Sequence, residues 1–83
     1  MHSTFMGKRE VLTKAATYYL LTKEVGELCE SYGVAVCLED GEQCHIPDIT
    51  CSHTGILGLI SVLMRCTVTP VALRDVVDDW LSS

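Results

Sequence analysis

The sequence predicts an α+β domain: a three-stranded antiparallel β-meander with two C-terminal α-helices packed on one face. Three observations lead there. Residues 17–25 and 29–39 are rich in β-formers, and Tyr32, Val34, Val36 and Leu38 alternate with period two. Gly26 and the run Glu39-Asp40-Gly41 supply turns after each of these stretches. Past Pro47 the apolar period becomes helical, first in Ile56, Leu59, Ile60 and Leu63 and then in Leu73, Val76, Val77, Trp80 and Leu81.

Length and composition set the outer limits. Eighty-three residues make one small domain, with 48% hydrophobic and 20% charged residues, a globular rather than disordered composition. Such a chain is too small to enclose a large cofactor, and no cofactor is expected. The formal charge is −5. From Thr17 onward only Lys23, Arg65 and Arg74 oppose ten carboxylates, so the folded part repels phosphate backbones and anionic lipid, and neither direct nucleic-acid binding nor a membrane partner is expected. The first residues carry bases but no sustained apolar core with a cleavage site, and the apolar run from Ile56 to Met64 is interrupted by Gly58 and Ser61. A cytoplasmic protein is expected, with its five cysteines reduced.

Residues 1–15 mix Gly, Thr, Ser and charges without a period and are expected to be a tail, flexible or weakly helical, ahead of a single domain over residues 16–83. The first strand follows. A two-residue loop at Gly26 and Glu27 would set Tyr19 and Leu21 beside Val34 and Tyr32 on the core face, leaving Tyr18 and Leu20 above Gly33 and Ala35 on the other. At the next turn, a three-residue Glu39-Asp40-Gly41 loop with Gly41 left-handed pairs Val36 with Cys44 and Val34 with Ile46, which keeps one face apolar. Cys37 and Cys44 then lie on opposite faces. Pro47 is expected to end the third strand, and residues 48–51 to form a loop. Ser52 is a candidate N-cap for the first helix, whose apolar arc, widened by Leu57, Val62, Met64 and Cys66, exceeds what one core contact needs. Thr69 and Pro70 open the second helix, which runs through Leu81 with Arg74, Asp75, Asp78 and Asp79 on its wet face.

Chemistry, if there is any, sits between Cys37 and His53, where three cysteines and two histidines crowd together. Neighbours on a strand point to opposite faces, so Cys44 and His45 cannot both face one ion, and no CxxC or HxxxH pair exists. No metal site is therefore expected; Cys44, Cys51 and His53 come nearest to one. No catalytic constellation is visible, because no Ser or Cys sits on a nucleophile elbow, and no enzyme is expected.

The stretches TYYLLTKEV, SYGVAV, IPDIT and TPVALRDVVDDWL, in this order and spacing, resemble a family of small proteins from clostridial-type Gram-positive bacteria known as a domain of unknown function. The resemblance implies a bacterial cytosolic protein and carries over no activity, ligand or catalytic residue. The expected function is a non-enzymatic protein-interaction or regulatory module, with Tyr18, Leu20, Ile56, Leu57 and Met64 as interface candidates and a homodimer as its assembly. Its protein partner is not specified by the sequence. Two alternatives stand beside it: a thiol-based metal-binding or redox-sensitive protein using Cys44, Cys51 and His53, and an acidic inhibitor that mimics nucleic acid.

Overall fold

The computed structural model describes residues 2–11 and 13–82. The elements are β1 (His2–Val11), β2 (Lys14–Glu24), β3 (Glu30–Leu38), β4 (Gln43–Thr50), α1 (His53–Arg65) and α2 (Pro70–Ser82), with one antiparallel sheet in the order β1-β2-β3-β4. The sheet has four strands, so the three-stranded meander is corrected. The segment expected to be a tail is β1, paired along β2 from His2 opposite Thr22 to Val11 opposite Lys14. Its alternation is hidden by a bulge: the register shifts between Phe5 and Gly7, and Met6 is the extra residue. Phe5 therefore faces away from the helices, whereas Gly7 and Arg9 stand opposite Tyr18 and Ala16 on the helix-covered face.

The β2–β3 hairpin sets which side chains are buried. The amide of Val25 donates to the carbonyl of Cys29 at 3.1 Å, closing a loop over Gly26, Glu27 and Leu28 that is one residue longer than expected. A slip of one residue exchanges the faces. Tyr18 pairs with Val36 and Leu20 with Val34, and all four face the helices, while Tyr19, Leu21 and Ala35 take the outer face. The expected division of Tyr18 and Leu20 from Tyr19 and Leu21 is thus reversed.

The second hairpin follows the expected register. Val36 pairs with Cys44 and Val34 with Ile46, and Gly41 is left-handed at φ 99°. The carboxylate of Asp40 accepts from the amide of Glu42 at 3.0 Å and pairs with Lys14, and the Lys14 contact together with the Glu42 amide holds the Asp40 carboxyl below the usual carboxylate range. Pro47, however, does not end the strand. It lies in the edge strand β4, where a missing N–H is tolerated, and residues 47–49 bulge across from Gly33 between the pairs Val34–Ile46 and Tyr32–Thr50. Gly33 admits this bulge: a Cβ there would stand 2.3 Å from the Ile46 carbonyl oxygen.

Both helices form as their caps dictate. The Ser52 hydroxyl accepts from the Gly55 amide at 3.0 Å, and Ile56, Leu59, Ile60 and Leu63 are buried. Pro70 opens α2, which buries Leu73 and Val77; Leu81, expected in that stripe, is exposed. Between the helices Val68 donates to Leu63 and Thr67 to Met64, with Thr67 left-handed at φ 47°, a Schellman closure that usually employs glycine. The buried Tyr18 hydroxyl donates to the Val68 carbonyl at 2.9 Å, so the second strand grips the interhelical turn. No helix among the described residues is long and apolar enough to cross a membrane.

Replacing Tyr18 by Phe removes this one donor while keeping the ring. Denaturant titration should show a loss of about 1–2 kcal/mol. Burial raises the phenol's pKa above the ordinary tyrosine value near 10, with Arg9 opposing it. A raised folded-state pKa means that the neutral phenol's contribution is intact below about pH 10 and is lost as the pH rises through the folded value. The wild type should therefore lose stability more steeply than Tyr18→Phe in alkaline titration.

Candidate functional site

Four strands under two helices leave part of α1 beyond its core contact. The stripe Ile56, Leu59, Ile60 and Leu63 points into the sheet, and the flank at Leu57, Ser61, Met64 and Arg65 turns toward the free edge of the sheet at β1. Between this flank and β1 runs an open groove of about 660 Å³, floored by Met6, Leu57, Ile60 and Met64. Its size is ordinary for a ligand cleft. Arg9 from β1 and Arg65 from the last turn of α1 stand at its walls, both exposed. Gly7 is what lets the helix side chain come so near: a Cβ at this position would stand 2.2 Å from the Met64 methyl carbon. Methionines at a surface groove adapt their shape readily, because three rotatable bonds and a polarisable sulfur let them fill irregular space.

The structure divides the expected interface residues. Tyr18 and Ile56 are fully buried and Leu20 is 7% exposed, so the structure places these three in the core. Leu57 and Met64 are half-buried and line the groove. Met6, Arg9 and Arg65 were not singled out from the sequence. A wide apolar arc in α1 pointed to its half of the groove, but nothing in the periodicity of residues 2–11 pointed to the other half.

A second unpartnered surface is the outer sheet face. Phe5 is 61% exposed and meets Tyr19 edge-on with ring centroids 6.3 Å apart, beside Leu21, Ala35 and Cys37. Leu21 and Ala35 are themselves buried there, and Ser3 and His45 border them, so the exposed apolar surface on this face is chiefly Phe5 with part of Tyr19.

The cysteine and histidine cluster disperses. Cys44 packs half-buried against the core, whereas Cys51 is exposed at the entry to α1. The His53 ring lies edge-on to Tyr32 with centroids 5.3 Å apart, and the Tyr32 phenol is raised first by burial, then by Glu30, with a small contribution from Cys51. Cys51 and His53 thus gather about Tyr32 and not about Cys44. Among the described residues, no three His, Cys, Asp or Glu side chains converge as metal ligands. Cys37 lies on the opposite face from Cys44, as the bulged hairpin requires, with its thiol 3.6 Å from Gln43 Oε1 and its pKa pushed up by burial. No disulfide joins the five cysteines.

Compared with known proteins, residues 2–83 match the family model described as "Family of unknown function (DUF6514)". No curated protein and no solved structure matches the chain.

The placement of the thiols has a direct readout. With a chromogenic disulfide reagent at neutral pH, Cys29, Cys51 and Cys66, all exposed, should react in a fast phase. Cys37 and Cys44, both half-buried, should follow slowly, joining the fast phase only in denaturant. A single fast phase for all five would contradict the half-burial of Cys37 and Cys44.

Proposed function

The chain belongs to this family of unknown function, whose model spans all four strands and both helices, and from that premise we propose that it is a non-enzymatic protein-interaction module. Its working surface is the groove between β1 and α1, where an extended segment of a partner protein docks as a fifth strand. One observation carries this reading. β1 is an edge strand with an unpaired row of backbone groups, and a largely apolar groove opens between Met6 and Arg9 of that strand and the Leu57–Arg65 flank of α1. An added strand would satisfy the backbone groups and would set alternate side chains against Met6, Leu57 and Met64, so that affinity and selectivity come from different atoms. Such a module has no need of a metal or cofactor. Five unbridged thiols fit a reducing compartment, and the bacterial cytosol is the setting proposed.

The test is selection of peptides from a random display library against the whole chain, followed by amide chemical-shift mapping. Bound peptides should shift the amides of Met6, Arg9, Leu57, Ser61 and Met64 and slow hydrogen exchange along β1. Shifts confined to α2 or to β4 would overturn the assignment of the surface.

The exposed Phe5 supports a second reading, a homodimer formed by the outer sheet faces of two copies. Sedimentation equilibrium over a concentration series should then report a reversible dimer, and Phe5→Lys should leave only monomer. A wild type that stays monomeric throughout the series would remove this assembly.

A further inference from the structure

The groove's charge says which segment it takes. Among the described residues the ion pairs are Lys14–Asp40 and Lys23–Asp48, which leaves Lys8, Arg9, Arg65 and Arg74 exposed with no carboxylate on them. Of these, Arg9 and Arg65 stand at the groove, and among the described residues no Asp or Glu lines it. In a chain of net charge −5, two of the six basic side chains thus stand on one apolar cleft, while the other four, Lys8, Lys14, Lys23 and Arg74, share the remaining surface with the acids. On a chain of net negative charge, an acidic ligand meets two cations in the lining of this cleft, which gives direction to the encounter as well as selectivity.

Resting on the strand-addition reading above, we propose that the partner segment is an extended acidic one: a large apolar residue with carboxylates at alternate positions on the same side. The spacing follows from strand geometry. Side chains i−2, i and i+2 of an added strand share one face, so the apolar residue that reaches Met6 and Met64 carries carboxylates on the same side, where guanidinium groups are offered. Arginine suits this task because its planar fork takes a carboxylate by two parallel hydrogen bonds and loses little hydration on doing so. A helical ligand would leave the backbone groups of the β1 edge unsatisfied, and a basic one would meet Arg9 and Arg65 directly.

The probe is a fluorescein-labelled blocked peptide, Thr-Glu-Thr-Leu-Thr-Glu-Thr, compared with Thr-Lys-Thr-Leu-Thr-Lys-Thr by fluorescence anisotropy on the full chain at low and high salt. The acidic peptide should bind, more weakly as salt rises, and the lysine peptide should not. In the doubly substituted Arg9→Glu, Arg65→Glu chain, whose fold is checked by circular dichroism, affinity for the acidic peptide should fall about tenfold or more, and the lysine peptide should gain binding. An Arg9→Gln, Arg65→Gln chain should lose the first without gaining the second. Equal binding of both peptides at the groove, or library-selected groove binders without acidic residues, overturns the ligand chemistry and leaves strand addition standing. If no peptide of any kind reaches the groove, or a second copy fills it, both fall.

Discussion

The register of β2 on β3 is the constraint on which the rest of the molecule depends. With Val25 and Cys29 closing a three-residue loop, Tyr18 and Leu20 come opposite Val36 and Val34 on the face that the helices cover. Tyr18 is then, among the described residues, the only aromatic side chain buried completely, and its hydroxyl must find an acceptor inside the protein. The Val68 carbonyl provides it. That bond fixes the turn between the helices relative to the sheet, and with it the line along which α1 crosses toward β1. Shift the register by one residue and Tyr18 points to the opposite face, the interhelical turn loses its anchor, and α1 has no reason to lie where its flank completes a groove.

The interhelical turn is held with some conformational cost. Thr67 sits in left-handed space that a β-branched residue adopts reluctantly, and the two hydrogen bonds of the Schellman closure, with Val68 packed into the core, offset it. The consequence reaches the surface, because Thr67 also lines the groove. The end of the cleft is therefore a stiff turn anchored on both sides.

How much of this was legible in the sequence depends on whether a local pattern had competition. The Glu39-Asp40-Gly41 hairpin could be read because only one register kept Val34, Val36, Cys44 and Ile46 on a common face, and the helices because Ser52 and Pro70 mark their starts. The pair Tyr18-Tyr19 followed by Leu20-Leu21 gave no such choice. Both faces of β2 are apolar there, so the pattern carries no phase, and the loop length that decides it turns on whether Leu28 belongs to the loop. In β1 the bulge at Met6 breaks the alternation in the middle of the strand, and charges at Lys8, Arg9 and Glu10 give an edge strand the composition of a tail. The groove was illegible for a different reason: Arg9 and Arg65 lie 56 positions apart and acquire a common meaning only once β1 joins the sheet.

The same charges that obscured β1 explain how an open edge can be kept on the protein surface. A long unpaired strand invites pairing with its own kind, and natural sheets resist this with bulges and with cations. Here a bulge at Met6 and the adjacent Lys8 and Arg9 do both, since in a symmetric pairing centred on those residues like charges would face each other across the new ladder. A carboxylate-bearing strand meets no such barrier. Protection against self-pairing and admission of an acidic partner are then one electrostatic property of the edge.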